Sequence, residues 1–277
     1  MQYIFGIIIF LFGAVVGSFL GVVANRYNTG LSYLKGRSFC FSCNTELGKK
    51  DLFPIFSFLF LRGRCRYCGS QIPRETFWTE CLMGGLTLIA FLKHDLLFDL
   101  FFDTALVWIL FVTIFIFGII LLISIYDLKH FIIPDPFLIV FAIFSLVYIL
   151  LTGPSIWMHL VTGVVLILPF LAIFVFSKGK WLGFGDVKYI GVIGFFLGAS
   201  QGISAVVLAF WIGALFALVG LALKYLKPHF GLLMLPKDLT IKSEIPFGPF
   251  LSIGIIISFY FNVDLFQIQS IIQIFQS

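Results

Sequence analysis

Charged residues are scarce in this chain. Of its 277 residues, 61% are hydrophobic and only 11% are charged, whereas a soluble domain carries about 25% charged residues. This shortage excludes an ordinary soluble globular domain and indicates a polytopic membrane protein. The net charge of +5 does not indicate nucleic-acid binding, because the basic residues are distributed as in the loops of a membrane protein.

Long apolar stretches take the place of the missing charges. A membrane-spanning helix needs about 20 mostly apolar residues, with a range near 17–25. The sequence therefore predicts an all-α polytopic membrane protein with about eight transmembrane helices, of which the second and sixth are short. A turn near Ser200, Gln201 and Gly202 separates the sixth from the seventh. The predicted helices cover about 3–24, 76–92, 104–126, 136–152, 158–177, 187–199, 201–223 and 247–262.

The first apolar stretch lacks two features of a cleaved secretory signal. It has no basic start, and no small-x-small cleavage site follows it, since the chain continues as Ala24-Asn25-Arg26. We therefore expect a retained helix.

The basic residues predict the orientation of the helices. Segment 26–75 carries nine Lys and Arg residues, and the other loops on its side of an eight-helix topology carry eight more. Thus 17 of the 18 basic residues lie on one side, and Lys93 lies on the other. The positive-inside rule places the basic side in the cytoplasm, so we expect both termini outside. The eight basic residues in the other loops on the cytoplasmic side are Lys129, Lys178, Lys180, Lys188, Lys224, Lys227, Lys237 and Lys242.

The one sizeable polar block contains four of the five cysteines. They form two CxxC pairs, at positions 40 and 43 and at positions 65 and 68. This spacing predicts a zinc site closed by four thiolates, which is structural because no position remains for water. A redox pair or unligated cysteines are the alternatives, and disulfides are disfavoured in a reducing cytoplasm. The predicted ligands are Cys40, Cys43, Cys65 and Cys68, and we expect Cys81 to be a small buried hydrophobe.

Three parts of the chain follow from this pattern. Residues 1–25 form a first transmembrane helix, residues 26–75 a cytoplasmic zinc-binding insert, and residues 76–277 a membrane domain. A block of about 50 residues with few apolar positions builds little core, so a metal ion is a reasonable source of stability.

Most carboxylates are expected to be solvated surface charges. Glu46, Asp51 and Glu75 in the cysteine block belong to this group. Glu80 differs because it lies one turn into the second helix, where it caps the helix, pairs with an arginine or lines a cavity. Asp135 follows Pro134 at a helix start, where an acid is expected as an N-terminal cap.

Asp127 and Asp186 are predicted to lie at one depth of the membrane. Asp127 ends the third predicted helix and Asp186 begins the sixth, so the topology places both at the cytoplasmic boundary. Two close carboxyl groups can share a proton and act as an aspartyl protease pair. A helix cap or an ion-transport role remains an alternative. Gly183 and Gly185 precede Asp186 and are expected to allow positive φ and close approach of a substrate chain.

Five stretches of the chain carry distinctive motifs. One is Gly183-Phe184-Gly185-Asp186, a GxGD motif followed by Lys188. The others are GSFLGVVANR at 17–26, LRGRCRYC with IPRETFWTE at 61–80, YDLKHFIIPD at 126–135 and PFGPFLSIG at 246–254. In sequence and in order, these motifs resemble the signatures of the bacterial type IV prepilin peptidases and, for GxGD, of the wider GxGD aspartyl protease group.

The resemblance implies an inner-membrane endopeptidase that removes the basic leader of type IV prepilins and pseudopilins at the cytoplasmic face. It implies that Asp127 and Asp186 are the catalytic pair, that the four cysteines bind zinc, and that Gly183, Gly185 and Lys188 lie where substrate approaches. Members with this cysteine block commonly also methylate the new N-terminal amine with S-adenosylmethionine.

Two departures from the family pattern bear on methyl transfer. Gly21 stands where the family often has Asn, and Asn25 where an aromatic residue or His is usual. The sequence also lacks a glycine-rich S-adenosylmethionine loop after a strand, so it does not locate that cofactor. The alternatives are a peptidase without methyltransferase activity, an ion-binding membrane transporter and a zinc-bearing scaffold.

Overall fold

All regular structure in the described residues is helical. The computed structural model describes residues 2–93, 104–226 and 245–267. These ranges contain two isolated β-bridges but no β-strand. This confirms the predicted all-α class. The helices are α1 Gln2–Arg26, α2 Phe56–Phe60, α3 Arg74–Lys93, α4 Thr104–His130, α5 Asp135–Thr152, α6 Ile156–Ser177, α7 Phe184–Leu226 and α8 Gly248–Phe261.

Five of the described helices are long and apolar enough to cross a membrane. They are α1, α4, α5, α6 and α7, whereas α8 is apolar but has only 14 residues. Their length and composition make the chain a multi-pass membrane protein. Three residues used to predict its orientation, Lys227, Lys237 and Lys242, lie outside the described residues.

Helix α7 is broken at Gly198. This residue has φ 74° and ψ −174°, a conformation that glycine adopts without steric penalty. The Nδ1 atom of His159 lies 2.8 Å from the Phe195 carbonyl oxygen, which accepts the hydrogen bond. The break therefore lies slightly before the turn expected near Ser200, because the glycine, rather than the polar residues, permits the required φ.

The chain divides into two compact units, residues 1–122 and 123–277. In the first unit, α1 and α3 pack together through small residues. A Cβ atom added at Gly13 would lie 2.8 Å from the Met83 carbonyl oxygen, and one at Gly17 would lie 2.7 Å from that of Thr79. Glycines thus let the two helix backbones approach closely, as is common between membrane helices.

The second unit uses the same device. A Cβ atom at Gly163 on α6 would lie 2.8 Å from the Gly191 carbonyl oxygen on α7, and one at Gly254 on α8 would lie 2.2 Å from that of Ala205. Helix α7 therefore packs closely against both α6 and α8. The second unit therefore contains three helix ends that matter below: the end of α4, the start of α7 and the start of α8.

Candidate active site and metal centre

The four predicted cysteines form one cluster in the first unit. Their sulfur atoms all lie within 4.8 Å of one another, and the Sγ atoms of Cys40 and Cys68 are 3.9 Å apart. Zinc–sulfur bonds of about 2.3 Å place two sulfurs of a tetrahedral site about 3.8 Å apart. The donor set and its spacing therefore fit a structural zinc ion. Cys81 is half-buried and lies outside the cluster.

The two CxxC pairs have the same backbone geometry. In the first, the N–H groups of Asn44 and Cys40 donate to the carbonyl oxygens of Cys40 and Thr45, respectively. In the second, the corresponding donors and acceptors are Gly69 to Cys65, and Cys65 to Ser70. The residue four places after the first cysteine has positive φ in both, 55° at Asn44 and 71° at Gly69. Each turn thus presents two sulfurs to one point.

Ser70 contributes to the cluster, which the cysteine spacing did not indicate. Its hydroxyl group lies 3.1 Å from the Cys68 sulfur and 3.6 Å from the Cys40 sulfur. Hydrogen bonding by Ser70 is the main cause that lowers the pKa of Cys40 to about 6, and it also lowers the pKa of Cys68. A hydroxyl donor therefore favours the thiolate form that binds metal.

Asp51 is not the solvated surface charge that we expected from the sequence. Its side chain is only 5% exposed and accepts hydrogen bonds from Arg66 Nε at 2.6 Å, Tyr67 Oη at 3.1 Å and the Gly48 N–H group at 3.1 Å. Burial raises the pKa of Asp51, but the hydrogen bonds from these donors lower it by more than burial raises it. The net pKa therefore lies below the ordinary value. Asp51 thus ties the second cysteine turn to the preceding segment. By contrast, Glu46 is exposed and pairs with exposed Arg37.

Asp127 is buried near the end of α4 and is held by the backbone of α8. The carboxyl group is 4% exposed, and its Oδ2 atom accepts a hydrogen bond of 2.9 Å from the Gly248 N–H group. A Cβ atom at Gly248 would lie 2.7 Å from this oxygen. Only glycine therefore fits at position 248 with the carboxyl group in this place. The PFGP stretch indicated that this junction matters but did not indicate its role.

Asp186 lies in the first turn of α7, and the structure brings its carboxyl group close enough to Asp127 for an electrostatic interaction. The side chain of Asp186 also accepts a hydrogen bond from the backbone of Gly183, directly before the helix. Such a bond satisfies a backbone N–H group that the helix leaves free. Asp186 therefore caps its own helix and also faces the second acid, so the two alternatives drawn from the sequence are compatible.

The two glycines of the GxGD motif differ from expectation in one respect. We expected them to allow positive φ, but neither Gly183 nor Gly185 has it. Their small size matters instead. A Cβ atom at Gly183 would lie 3.1 Å from Oδ2 of Asp186, and one at Gly185 would lie 3.1 Å from Cβ of Ile133. The close approach is therefore to the protein's own carboxyl group and to the loop before α5.

Lys188 and Asp135 form an ion pair between the starts of α7 and α5. The Lys188 ammonium also lies 4.8 Å from the centre of the Phe184 ring, within the range of a cation–π interaction. Asp135 is not the N-terminal cap that we expected. Pro134 occupies that position, and no side chain caps the helix. The charge of Asp135 is therefore paired with that of Lys188.

A group of hydroxyls supports the Gly248 peptide from its other side. Ser252 Oγ donates to the Gly248 carbonyl oxygen at 2.9 Å and accepts from Ser124 Oγ at 2.7 Å. The hydroxyl of Tyr189 lies 2.9 Å from the same Ser252 atom. Because the Ser252 hydrogen is directed to Gly248, Tyr189 acts as the donor. The sequence did not single out these three residues, since they are ordinary polar residues in apolar helices.

A multi-pass membrane protein with a four-cysteine centre and two interacting carboxyl groups from different helix ends, Asp127 buried and Asp186 half-buried, has the features expected of a membrane aspartic peptidase. Comparison with known families agrees with this class. A family model described as the bacterial peptidase A24 N-terminal domain matches residues 11–94, and that of the type IV leader peptidase family matches residues 113–218. Between them the two family models match most of the chain, which is thus similar to the type IV leader peptidases in both parts.

Several relatives are similar over most of their length. A prepilin leader peptidase/N-methyltransferase of Bacillus subtilis (strain 168) is 28% identical over 259 residues, which cover 92% of this chain and 94% of the relative. A protein with the same name from Aeromonas salmonicida (strain A449) is 25% identical, with 92% and 90% covered. One from Vibrio cholerae is 26% identical, with 72% and 79% covered. No solved structure matches the chain.

Proposed function

We propose that this chain is an aspartic endopeptidase of the inner membrane that removes the leader peptide from type IV prepilins and pseudopilins. The observation that supports this proposal most directly is the interaction between Asp127 and Asp186, two carboxyl groups carried by the ends of different helices. The names of the relatives, which cover most of the chain, support the substrate class. They do not favour the transporter that remained an alternative from the sequence.

The proposed catalytic residues are Asp127 and Asp186. Two interacting carboxyl groups that are shielded from solvent hold one proton between them, because two negative charges close together repel each other. The ionised group removes a proton from water while the water oxygen attacks the scissile carbonyl carbon. The protonated group donates a hydrogen bond to the carbonyl oxygen. A proton then passes to the leaving amine as the C–N bond breaks.

Substrate approach is proposed to pass Gly183, Gly185 and Lys188. Gly183 is exposed, so a peptide can reach the carboxyl group of Asp186 from that side. Lys188 and Asp135 stand beside an apolar groove of about 570 Å³ between α5, α6 and the first segment of α7. A prepilin carries a hydrophobic helix after its leader, and we propose that this helix lies along the groove while the cleavage junction meets the two acids.

We further propose eight membrane spans, with both termini outside and the acids at the cytoplasmic face. Helices α3 and α8 and the division of α7 at Gly198 bring the five apolar helices to eight. The distribution of basic residues supports the orientation. Basic cytoplasmic loops also favour contact with anionic lipid headgroups, and we propose no nucleic-acid partner.

The three-part division of the chain is retained as a proposal about function. Residues 1–25 form a membrane helix, residues 26–75 a zinc-binding insert and residues 76–277 the peptidase domain. The proposed zinc ligands are Cys40, Cys43, Cys65 and Cys68, whose sulfur spacing fits a tetrahedral ion. Bound zinc would supply stability to a segment that has little apolar core.

Methyl transfer to the new N-terminal amine is proposed as a second activity. The relatives are named N-methyltransferases as well as peptidases, and S-adenosylmethionine is the proposed methyl donor. The methyl group would move from the sulfonium sulfur to the amine nitrogen, which loses a proton.

The test is incubation of the purified full-length protein with a prepilin, with and without S-adenosylmethionine, followed by mass analysis. We expect a shortened product without the cofactor and the same product one methyl group heavier with it. An unshortened prepilin under both conditions would contradict the peptidase assignment. A shortened but unmethylated product in both would contradict the second activity alone.

A further inference from the structure

The first unit contains a cavity that the peptidase reaction does not use. Its volume is about 250 Å³, near the lower end, about 300 Å³, of the range for small-ligand pockets. It is lined by the end of α1, by parts of the segment 38–73 that contains the four cysteines, and by the start of α3, with both apolar and polar groups in its wall. Four phenylalanines line it: Phe39, Phe41, Phe58 and Phe77.

Two acids and two bases line the cavity; Asp51 and Arg66 pair with each other, and the other two, Glu80 and Arg26, are deeply buried. Glu80 on α3 is 5% exposed, and Arg26 at the end of α1 is 8% exposed. Among the ion pairs of residues 2–93, 104–226 and 245–267, neither residue takes part. A buried charge without an opposite charge is costly. The pair of charges therefore favours a ligand that carries a cationic and an anionic group.

Each charged group is oriented by neutral partners. Glu80 Oε2 accepts a hydrogen bond of 2.6 Å from the Ile55 N–H group, and Ser18 also bonds to this carboxylate. The guanidinium of Arg26 donates to the carbonyl oxygens of Ser32 at 2.9 Å and Arg37 at 3.1 Å. A guanidinium has five N–H donors and a carboxylate about four acceptor sites. Both groups therefore keep capacity for a ligand.

We propose that this cavity binds S-adenosylmethionine, the methyl donor, an inference that rests on the proposed methyl transfer. The ligand carries a sulfonium and an ammonium cation, a carboxylate and a flat aromatic base. Glu80 faces a cationic group, Arg26 binds the carboxylate, and the phenylalanine rings contact the base or the sulfonium through their faces. This assignment satisfies both buried charges at once.

Gly21 leaves room for the ligand. It is buried on α1 and lines the cavity, yet a Cβ atom added there meets nothing within 4 Å. A buried glycine with open space beside it faces a void rather than a neighbouring side chain. A larger side chain at this position would occupy the cavity without displacing protein atoms, which provides a selective test.

The first experiment fills the cavity. Radiolabelled S-adenosylmethionine is equilibrated with full-length protein in detergent, and bound ligand is measured by dialysis for wild type, Gly21→Leu and Gly85→Leu. Gly85 is the matched control, because a Cβ atom there also meets nothing within 4 Å but the residue does not line the cavity. We expect affinity to fall at least tenfold for Gly21→Leu and to stay unchanged for Gly85→Leu. Equal affinity in all three proteins would overturn the location.

The second experiment removes one charge. We expect Glu80→Gln to weaken binding about tenfold or more, as for loss of a hydrogen bond to a charged group. Glu75→Gln, an exposed acid on the same helix, should bind as wild type does. Ultraviolet crosslinking of the labelled ligand to wild-type protein tests the site without a substitution. Label within residues 18–80 supports the location, and label confined to residues 123–277 overturns it.

The outcomes separate this inference from the proposed function. Methylation by wild-type protein with unchanged binding in Gly21→Leu and Glu80→Gln would reject the cavity and leave the methyltransferase activity intact. Wild-type protein that cleaves prepilin but neither methylates it nor binds the labelled ligand would reject both the second activity and the cavity assignment, while the peptidase would stand.

Discussion

The N–H group of Gly248 donates a hydrogen bond of 2.9 Å to Oδ2 of Asp127, although the two residues are 121 positions apart. The start of α8 thus holds the carboxyl group at the end of α4. The missing side chain at position 248 is what allows this approach, since a Cβ atom would lie 2.7 Å from the same oxygen. The position of one proposed catalytic group therefore depends on the smallest residue of another helix.

The Gly248→Ala variant tests this relationship. The added methyl group displaces the Asp127 carboxyl group, so we expect kcat for leader cleavage to fall by about 100-fold, comparable to misplacing a catalytic group by 1 Å. Gly213→Ala is the matched control, because its Cβ atom would meet Phe250 at an ordinary 3.4 Å. Kinetics on a synthetic prepilin measure both, and wild-type kcat in Gly248→Ala would contradict the positioning role.

Replacement of either central acid should abolish leader cleavage. We expect Asp127→Asn and Asp186→Asn each to lower the rate by about 10²–10⁴-fold or more, since each removes a proton-transfer group. Asp135→Asn is the control, because Asp135 is 63% exposed and pairs with Lys188, and such pairs contribute about 0–1 kcal/mol to stability. Membrane abundance of each variant is measured by immunoblot. Full loss in Asp135→Asn, with normal abundance, would move the catalytic pair to Asp135.

The hydroxyl group of Ser252 is expected to act through Gly248. Ser252→Ala removes the donor to the Gly248 carbonyl oxygen and the acceptor shared by Ser124 and Tyr189. We expect unfolding to become easier by about 1–3 kcal/mol and kcat to fall while KM stays constant. Ser252→Thr, which keeps a hydroxyl group, should recover part of kcat. A change in KM alone would show that the residue contacts substrate instead.

The cysteine cluster should bind one zinc ion per chain. Four thiolates at this spacing form a single closed site, so metal analysis of reduced, folded protein should give a ratio near one. Cys65→Ser should lose the metal, whereas Cys81→Ser should retain it because Cys81 lies outside the cluster. Absence of zinc from reduced wild-type protein, or zinc loss in Cys81→Ser alone, would contradict the assignment.

Asp51 should stabilise the zinc-binding insert over the whole neutral range. Its pKa is lower in the folded chain than in the unfolded chain, so its contribution is fully present above the unfolded pKa, about 3.9. That contribution is lost only as pH falls through the folded pKa. We expect Asp51→Asn to release zinc to a chelator faster than wild type, by a ratio that stays constant between pH 8 and pH 5. Glu46→Gln is the control, and a ratio that changes steeply within this range would contradict the pairing.

Helix number and helix breaks illustrate how far local patterns extend. Hydropathy located every described helix of 14 residues or more, because burial in a membrane requires continuous apolar residues, but it did not indicate the five-residue helix α2. It placed the break in α7 near Ser200, since polar residues usually mark a turn. The structure places it at Gly198, where φ is positive. Serine and threonine are accommodated inside a helix when their hydroxyl groups donate hydrogen bonds to carbonyl oxygens of the preceding turn. Ser204 does this to the Ser200 carbonyl oxygen.

The sequence by itself determined the membrane class, the cysteine cluster and the two central acids, because hydropathy, ligand spacing and position at a helix end are local properties. The tertiary structure decided which groups meet. Asp135 bonds to Lys188 rather than capping its helix, and Asp51 is buried and pairs with Arg66. Asp127 depends on Gly248, and Glu80 shares a cavity with Arg26. Such partners are set by how helices pack, and packing depends on the shapes of residues that are distant in the chain.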